Sequence, residues 1–459
     1  MKVLQYKNFF ILGIKGIAMA NLAVILKKMK KNVFGVDNQE KFITDRLLKE
    51  NKIEFLEKFD HSLLKRNIDL IIYSAAHQGI SNPLLIEAKK RGIKLISQAD
   101  FIGQLMSQFK IKIAVSGCHG KTTTTSLLAY ALNKLEKKPS YLVGASYFTD
   151  YQGADYQKKD YFVVEADEYG INPPIDKTPK FFKLNPDWII CTNIDFDHPD
   201  VYEDLKQTKK AFLKFFNKKK LVLNFDDINL IQSFKRLKKN KIISYGFSQG
   251  VDFLIKNYQI KNDLTSFKVN NYDFEIKLFG RHNVLNATAV ISLLFNLGFK
   301  YQEIKRAVRN FAGAQRRLNL VYQGRFLIYD DYGHHPTEIK STIEALRLKY
   351  PNQRIIVIFQ PHTYSRTQVL FKEFRQSLTL ADYSFILPIF ASARESSLDF
   401  NISSKDLVKG LKNLFYVNNN QKLIDKIKRI LKKNDLILTI GAGDIYKVID
   451  QLKTLWIIT

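Results

Sequence analysis

Short runs of apolar residues alternate with amphipathic stretches along most of the chain. Short apolar runs suit buried strands, and stretches with an apolar residue every three or four positions suit helices that pack on a sheet. Their alternation predicts an α/β fold with parallel sheets. The pattern falls into three successive series, which predict domains at 1–105, 106–315 and 316–459.

The same pattern predicts individual elements. The shorter hydrophobic period of 241–278 indicates some antiparallel strands in the second domain. The other predicted strands lie at 9–12, 32–36, 70–74, 94–97, 112–116, 161–165, 188–192, 221–223, 325–329, 354–359, 383–387 and 436–440. The predicted helices lie at 17–28, 83–90, 121–134, 205–216, 283–297, 337–348 and 370–380, and two further elements lie at 406–414 and 423–431.

Composition indicates an ordinary globular protein, since 46% of the 459 residues are hydrophobic and 25% are charged. Two cysteines, Cys118 and Cys191, are too few for a disulfide framework, which favours a reducing compartment. The apolar stretch 9–26 contains Lys15 and Asn21 and is a poor membrane span. We therefore expect a cytoplasmic protein without membrane insertion.

The formal net charge of +28 is the unusual feature of the composition. A basic balance favours polyanionic partners such as nucleic acid, anionic membranes or phosphorylated substrates. The basic residues are scattered, as at 27–31 and 218–220, in the manner of a solvated surface. A basic ATPase that acts on nucleic acid stays as an alternative from a different class of protein.

A glycine-rich turn, Gly13-Ile14-Lys15-Gly16-Ile17-Ala18, follows the first predicted strand and opens the first predicted helix. Asp37 follows the second strand. This is the context of a dinucleotide-type fingerprint, in which backbone N–H groups at a helix start hold a pyrophosphate. The turn alone is compatible with a nicotinamide dehydrogenase, with a plain tight turn, or with a site for another nucleotide such as a UDP-linked substrate.

The strongest motif, Gly117-Cys118-His119-Gly120-Lys121-Thr122-Thr123, lies at another strand-to-helix junction. Its Gly-Lys-Thr ending is that of a phosphate loop. Glycines let the backbone wrap phosphates, Lys121 reaches the terminal phosphates, and Thr122 can ligate Mg²⁺. Only two residues separate the two glycines, and this shortening is typical of one ligase family.

Two acidic segments follow apolar strands of the second domain: Glu165-Ala166-Asp167-Glu168 and Asp195-Phe196-Asp197-His198-Pro199-Asp200. Acids at the carboxyl ends of parallel strands lie where α/β sheets bind ligands. Carboxylate oxygens suit Mg²⁺, and His198 would supply a nitrogen ligand to a second cation. Solvated loop acids stay as the plain alternative for either segment taken alone.

Further loops at the ends of predicted elements carry His, Asp and Arg. Six of the eight histidines lie in the motif loops, a concentration that packing alone does not favour, although a core position is the ordinary interpretation of any single one. These further loops lie at 280–283, 316–317, 330–336, 360–367 and 441–444.

Together the motifs resemble the Mur ligase family, the ATP-dependent amino-acid ligases of peptidoglycan precursor synthesis. The resemblance follows the family's order over almost the whole chain. Three positions depart from it: Cys118 replaces a usual Thr, Tyr169-Gly170 stands where alanine-adding members more often have Ser-Asp, and Thr363 replaces a common Arg. The motifs are 13–18, GCHGKTTTT at 117–125, EADE at 165–168, 192–198, 280–283, 316–317, DDYGHHP at 330–336, 360–366 and GAGDI at 441–445.

The resemblance implies a Rossmann-like N-terminal domain for a UDP-sugar, a central P-loop ATPase domain with a mixed sheet, and a Rossmann-like C-terminal domain. It implies that ATP, with Mg²⁺, drives the joining of L-alanine to the carboxylate of UDP-N-acetylmuramate through an acyl phosphate. A murein tripeptide as the amine donor stays as the alternative within the family. A monomer or weak homodimer that does not act on nucleic acid is also expected.

The resemblance also implies roles for individual residues. The expected catalytic residues are Lys121, Glu165, His198 and Arg366, and the expected Mg²⁺ ligands are Thr122, Glu165 and His198. The expected ATP-binding residues are Gly117, Cys118, His119, Gly120, Lys121, Thr122, Thr123, Asn283, Asn286, Arg317 and Asp331. The expected substrate-binding residues are Gly13, Gly16, Ala18, Asp37, Ser74, Arg281, His335, His362 and Arg366.

Overall fold

A computed structural model describes residues 3–157, 159–234, 237, 241–261, 263–391, 395 and 397–455. The chain divides into two compact units. The first unit comprises Met1–Leu278 and Asn283–Ala314, and the second comprises Phe279–His282 and Gln315–Thr459. Among the helices of the described chain, none has both the length and the apolar character that crossing a membrane requires.

The first unit opens with a parallel sheet. Its elements are β1 (Asn8–Leu12), α1 (Ile17–Lys28), β2 (Asn32–Val36), α2 (Asp45–Glu50), β3 (Glu54–Leu56), β4 (Leu70–Tyr73), α3 (Pro83–Lys90), β5 (Lys94–Ser97) and α4 (Gln98–Met106). The strand order is β3-β2-β1-β4-β5. Phe9 and Ile11 belong to one apolar core and Phe10 and Leu12 to another, so both faces of the sheet are covered.

A second, larger sheet completes the first unit. Its neighbourhood comprises β6 (Ile111–Ser116), α5 (Lys121–Lys134), β7 (Ser140–Phe148), β8 (Tyr151–Asp155), β9 (Tyr161–Glu165), β10 (Gly170–Asn172), β11 (Asp176–Pro179), β12 (Trp188–Cys191), α6 (Leu205–Phe216), β13 (Lys220–Asn224), α7 (Ile228–Phe234), β14 (Lys241–Gly246), β15 (Phe253–Lys261), β16 (Leu264–Val269), β17 (Tyr272–Ile276), α8 (Arg281–Asn296) and α9 (Tyr301–Arg309). The ten strands follow the order β17-β16-β15-β14-β13-β12-β6-β9-β7-β8. Strands β8, β16 and β17 pair antiparallel with their neighbours, the other pairings are parallel, and β10 and β11 form a separate antiparallel pair.

The second unit contains a third sheet. Its elements are β18 (Asn319–Gln323), β19 (Leu327–Asp331), α10 (Pro336–Lys349), β20 (Ile355–Phe359), α11 (Tyr364–Val369), α12 (Phe371–Leu378), β21 (Tyr383–Ile386), α13 (Ser404–Val408), β22 (Leu414–Tyr416), α14 (Asn420–Ile430), β23 (Leu436–Ile440) and α15 (Ile449–Lys453). The strand order is β18-β19-β23-β20-β21-β22. Only the β18–β19 pairing is antiparallel among the pairings of this sheet's described strands.

Short 3₁₀ helices occur in the connections of both units. They lie at Val3–Gln5, His61–Lys65, Gly79–Ser81, Lys180–Lys183, Ser397–Asp399 and Ile445–Val448.

The α/β fold and the mixed central sheet predicted from the hydrophobic pattern are confirmed. The helix predicted over 370–380 corresponds to α12 (Phe371–Leu378). Helix α11 (Tyr364–Val369), which ends just before the non-helical backbone at Leu370 (φ −102°, ψ 28°), was not predicted. One predicted element of the third series is wrong in detail. The element predicted over 406–414 is the end of α13 followed by the start of β22. The domain boundaries near 105 and 315 stay predictions.

The order of the second sheet determines which loops can meet. Strands β9, β6 and β12 are adjacent and parallel. The carboxyl ends of adjacent parallel strands lie at the same edge of a sheet. The loop after β6 carries the phosphate-loop motif, and the loops after β9 and β12 carry the two acidic segments. The fold therefore brings the three strongest sequence motifs to one edge.

Candidate functional site

The phosphate loop connects β6 to α5 and is supported by the loop after β12. Gly117 has a φ of 127°, and a Cβ there would lie 2.1 Å from Thr192 Oγ1, so a side chain does not fit. The backbone N–H of His119 donates to Asn193 Oδ1 at 2.9 Å, and Thr192 Oγ1 donates to His119 O at 2.5 Å. The loop is thus held in its curved form by hydrogen bonds within the protein.

Lys121 lies at the start of α5, and its ammonium group is bound within the site. Nζ donates to Glu168 Oε1 and Oε2 at 2.9 and 2.8 Å, and to Gly117 O at 2.6 Å. Burial alone would lower the pKa of Lys121, but the charges of Glu168 and Asp167 outweigh it and raise that pKa above its ordinary value. Lys121 is therefore a cation with an anionic partner at the position that would face a phosphate.

Glu168 is almost fully buried beneath Lys121. Burial raises the pKa of its carboxyl group to about 7, although the charge of Lys121 opposes the rise. Tyr202 Oη donates to the Glu168 backbone carbonyl at 2.7 Å and holds this part of the loop in place. The sequence placed Glu168 in an acidic segment suited to Mg²⁺, but it did not predict the pairing of this buried carboxylate with the phosphate-loop lysine.

Thr122 and Glu165, two of the expected metal ligands, lie next to each other. Thr122 Oγ1 is 3.3 Å from Glu165 Oε2. The other carboxylate oxygen of Glu165 accepts a hydrogen bond of 2.5 Å from the backbone N–H of Gly144 on β7. A hydroxyl and a carboxylate oxygen at this spacing are hard donors of the kind that Mg²⁺ prefers.

His198, the third expected metal ligand, lies close to the acids that follow β9. Its Nε2 is 3.7 Å from Glu168 Oε1 and 3.7 Å from Asp197 Oδ2. One ligand atom each from Asp167, Glu168 and His198 lie within 4.8 Å of one another. Two carboxylates and one imidazole form a donor set that fits a divalent cation.

Asn286 and Asn283 lie in the part of α8 that belongs to the first unit. Asn286 Nδ2 is 3.4 Å from Asn283 Oδ1. A Cβ at Gly120 would lie 2.7 Å from Asn286 Oδ1, so this amide is beside the phosphate loop. The structure therefore brings Asn286 to the loop with which the sequence grouped it.

The glycine turn after β1 has a different set of contacts. The carboxylate of Asp37 accepts hydrogen bonds from the backbone N–H groups of Lys15 and Asn38 at 2.8 and 2.9 Å. His77 Nε2 lies 2.9 Å from the same carboxylate. Asp37 is buried and fixes the turn.

The expected substrate-binding residues Gly16 and Ala18 belong to this motif, and Ser74 follows β4, the strand next to β1. Gly16 precedes the first residue of α1, and Ala18 lies in its first turn. Ser74 directly follows β4, and its hydroxyl oxygen lies 3.4 Å from the backbone N of Ala76. Their roles stay predictions.

A cavity of about 340 Å³ lies beside His77. Phe59, His61 and Gln78 also line it. The rings of Phe59 and His77 have centroids 5.0 Å apart. No sequence motif pointed to His77, because its relation to Asp37 arises only when the loops after β2 and β4 come together.

In the second unit, the loop after β19 is built around Asp331. Its carboxylate accepts hydrogen bonds from the backbone N–H groups of Gly333 at 2.6 Å and Leu318 at 2.7 Å. Burial raises the pKa of Asp331 to about 6, and the charge of Arg317 opposes the rise. The guanidinium of Arg317 lies 5.0 Å from the ring centroid of Tyr332. Asp331 and Arg317, both expected at the nucleotide, therefore lie in one local cluster.

His335, His362 and Arg366 lie at helix starts of the same unit. His335 caps α10, where its Nδ1 accepts from the backbone N–H of Thr337 at 3.2 Å. The buried Arg366 has Nη1 at 3.2 Å from the backbone carbonyl of His362. Thr363, which lies between His362 and Arg366 in the chain, has a φ of 72°, which is unusual for a β-branched residue.

The first two residues of α8, Arg281 and His282, belong to the second unit. Arg281 is exposed at the start of the helix. Burial lowers the pKa of His282 to about 4, so this imidazole is neutral at physiological pH. His282 is partly exposed, and its neutral imidazole fits packing, the ordinary interpretation of a single histidine.

Fold and site together define an α/β protein with a phosphate-loop motif at one edge of a mixed sheet. The chain belongs to the Mur ligase family. Three family models match it: the Mur ligase family catalytic domain at residues 9–110, the Mur ligase middle domain at 115–294, and the Mur ligase glutamate ligase domain at 316–443.

Individual relatives cover nearly the whole chain. UDP-N-acetylmuramate–L-alanine ligase of Caldicellulosiruptor saccharolyticus is 38% identical over 97% of this chain and 98% of its own length. The solved UDP-N-acetylmuramate-alanine ligase of Thermotoga maritima matches with a TM-score of 0.80 and 24% identity, covering 98% of this chain and 100% of that one. The murein peptide ligase of Psychrobacter arcticus matches with a TM-score of 0.74 and 22% identity over 98% of each chain. These two structures establish the fold.

Proposed function

We propose that the protein joins L-alanine to the carboxylate of UDP-N-acetylmuramate and converts ATP to ADP and phosphate, as a step of peptidoglycan precursor synthesis. It is an amide-forming ligase of the Mur family. The observation that carries the proposal is the phosphate loop, whose Lys121 lies 2.8 Å from a carboxylate of the neighbouring strand's loop. Support for the substrates comes from curated relatives such as the 38% identical enzyme, which bear this activity in their names.

The chemistry requires a carboxylate to be activated before an amine can attack it. The muramate carboxylate attacks the γ-phosphorus of ATP, the bond to the leaving ADP breaks, and an acyl phosphate forms. The amino group of L-alanine then attacks the acyl carbon, and phosphate leaves as the amide forms. Phosphoryl transfer depends mainly on positioning and on charge stabilisation, so cations near the phosphates matter most.

In this scheme Lys121 exchanges its partner. In the structure its ammonium group is paired with Glu168. When ATP is bound, Lys121 holds the terminal phosphates, and the backbone from Gly117 to Thr123 surrounds them. Asn286, which lies beside Gly120, and Asn283 hold the adenine.

Thr122 and Glu165 would hold one Mg²⁺, and their oxygen donors fit that role. His198 would hold a second cation with the acids beside it, Asp167 and Glu168. The bound metal would neutralise part of the phosphate charge. Glu165 is fixed for this task by Gly144, and His198 is held near Glu168 and Asp197.

Other residues are proposed to bind the substrates. Gly13, Gly16, Ala18, Asp37 and Ser74 of the first unit are proposed to form the UDP-sugar site, with Asp37 holding the turn. In the second unit, Arg281, His335, His362 and Arg366 are proposed to bind the anionic intermediate or the amino acid, since a guanidinium suits carboxylate and phosphate groups. Arg317 and Asp331 are proposed to contact the nucleotide.

The proposal extends to the setting of the enzyme. The domains are proposed to span 1–105, 106–315 and 316–459. The protein is proposed to act in the cytoplasm as a monomer or weak homodimer, without membrane insertion and without nucleic acid.

Mass spectrometry of the product tests the proposal directly. The enzyme is incubated with UDP-N-acetylmuramate, ATP, Mg²⁺ and a mixture of amino acids, and a parallel reaction contains a murein tripeptide instead. The expected product carries one added L-alanine. A strong preference for the tripeptide would contradict the choice of amine donor, and the absence of any ATP-dependent product would contradict the proposed activity.

A further inference from the structure

Helix α1 contains one polar residue in its buried interior. Met19 to Leu26 are all buried, and Asn21 is the polar member of this stretch, with none of its surface exposed. Burying an amide is unfavourable unless its hydrogen-bonding groups find partners. The contacts of Asn21 therefore indicate why an amide stands there.

Both donors of Asn21 are used on strand β7. Nδ2 donates to Val143 O at 2.7 Å and to Ala145 O at 2.9 Å. The register of β7 against β8 shifts in this part of the strand, between Leu142 and Tyr147. The amide thus fixes the two carbonyls that flank Gly144 in an irregular stretch of backbone.

Gly144 in turn holds the side chain of Glu165. Its backbone N–H donates to Glu165 Oε1 at 2.5 Å. A Cβ at Gly144 would lie 2.6 Å from Glu165 Oε2 and 2.7 Å from Oε1, so only glycine lets the carboxylate come this close. Thr122 lies 3.3 Å from the other side of the same carboxylate.

We infer that Asn21 is a positioning residue for Glu165: it holds the Gly144 amide in the orientation that fixes the carboxylate proposed to bind Mg²⁺. The inference rests on the proposed function, because it concerns the metal site of that reaction. Helix α1 begins at the turn proposed for the UDP-sugar, so one helix contacts both regions. Groups that orient metal ligands commonly change metal affinity by 10- to 100-fold when they are removed.

A purely structural role for Asn21 is the competing explanation, since it also ties α1 to the β7–β8 hairpin. Lys28 provides the matched control. It lies on the same helix, and its Nζ is 2.6 Å from Asp155 Oδ1 on the same hairpin. Loss of either side chain removes a contact between α1 and the β7–β8 hairpin. Of the two residues, only Asn21 contacts the carbonyls that flank Gly144.

The test measures ADP binding to the full-length protein by isothermal titration calorimetry, in saturating Mg²⁺ and in EDTA. In Asn21→Ala, the gain in ADP affinity that Mg²⁺ provides should fall about tenfold, while the affinity in EDTA stays at the wild-type value. Lys28→Ala should keep the full gain. Gly144→Ala should lose at least as much as Asn21→Ala, because its Cβ would displace the carboxylate directly.

Three results would overturn the inference: an unchanged gain in Asn21→Ala, an equal loss in Lys28→Ala, or an unchanged gain in Gly144→Ala. If Asn21→Ala does not fold, as judged by circular dichroism, Asn21→Ser retains one donor and should show a smaller loss in the same direction. A wild-type protein without any Mg²⁺-dependent gain would remove the proposed metal site as well. Loss of the gain in Asn21→Ala alone supports the inference.

Discussion

Two glycine-rich turns of the first unit look alike in sequence and differ in chemistry. Each follows a buried parallel strand, each opens a helix, and each contains a lysine: Lys15 in the turn after β1, and Lys121 in the turn after β6. The turn after β1 uses its lysine to hold the fold together. The turn after β6 keeps its lysine beside a cluster of acids, where the nucleotide is proposed to bind.

The partners of the two ammonium groups account for the difference. The Nζ of Lys15 is bound to Asn38 O at 3.0 Å, Glu40 O at 2.9 Å and Glu57 Oε1 at 2.7 Å, and its side chain is fully buried. Asn38 and Glu40 follow β2, and Glu57 follows β3. Lys121 has carbonyls of its own loop and a carboxylate from the loop after β9. A lysine in a glycine-rich turn therefore acquires its role from the neighbouring strand's loop.

The largest expected effect on activity is that of replacing Lys121, the lysine of the turn after β6. Lys121→Ala should lower the kcat for ATP-dependent phosphate release by about 10³-fold, because it removes the cation that stabilises the transferring phosphoryl group. UDP-N-acetylmuramate binding, measured by calorimetry, should be retained. Near-normal turnover in this variant would contradict the assignment of the turn.

Removal of metal should affect the function of the turn after β6 but not that of the turn after β1. Chelation with EDTA should lower turnover by about 100-fold, equivalent to about 3 kcal/mol of transition-state stabilisation. Added Mg²⁺ should restore the rate. Binding of the UDP-sugar should be the same with and without EDTA, because the turn after β1 is not proposed to involve metal. Turnover that is insensitive to EDTA would show that Glu165 and His198 have another role.

Replacing one glycine in each turn by alanine tests how closely the backbone of that turn is packed. Gly117→Ala should lower the free energy of unfolding by about 3 kcal/mol, because its φ is 127° and the new Cβ would meet Thr192. Gly16→Ala is the matched control. Gly16 has a φ of −61°, and its Cβ would lie 3.5 Å from Gly13 O, so the expected change is below about 1 kcal/mol. Urea unfolding followed by circular dichroism measures both, and equal losses would contradict the comparison.

The smallest expected effect on activity comes from Lys15. Lys15→Met should lower the free energy of unfolding by about 2 kcal/mol, since two backbone carbonyls and Glu57 lose a charged donor. The kcat at saturating substrates should stay at the wild-type value. Urea unfolding and phosphate release measure the two quantities, and a large fall in kcat would show that Lys15 contributes to the site after all.

Local patterns predicted the elements on which the site is built. The helices predicted at 17–28 and 121–134 have the bounds observed for α1 and α5. Their starts are encoded locally, by glycines after an apolar strand. Helix α11 was missed because residues 360–367 were interpreted as a loop at the end of a strand.

The candidate site could be predicted only in part. Thr122 and Glu165 were expected together, and their side chains lie 3.3 Å apart. The pairing of Lys121 with Glu168 and the contact of Asp37 with His77 were not expected. The two residues in each of these pairs lie on different loops, far apart along the chain. Their contact depends on which strands are neighbours, and the hydrophobic pattern does not specify that order.

The sequence by itself determined the α/β class, the strand–turn–helix form of both glycine-rich turns, and the family, because periodicity, glycine positions and motif order are properties of short segments. Tertiary structure alone decided which lysine is structural and which lies among the acids. It also decided that Asn21, which from sequence only makes 9–26 a poor membrane span, contacts the strand that holds Glu165. Hydrogen bonds between distant segments form only after the sheet order and helix packing bring their donors and acceptors together.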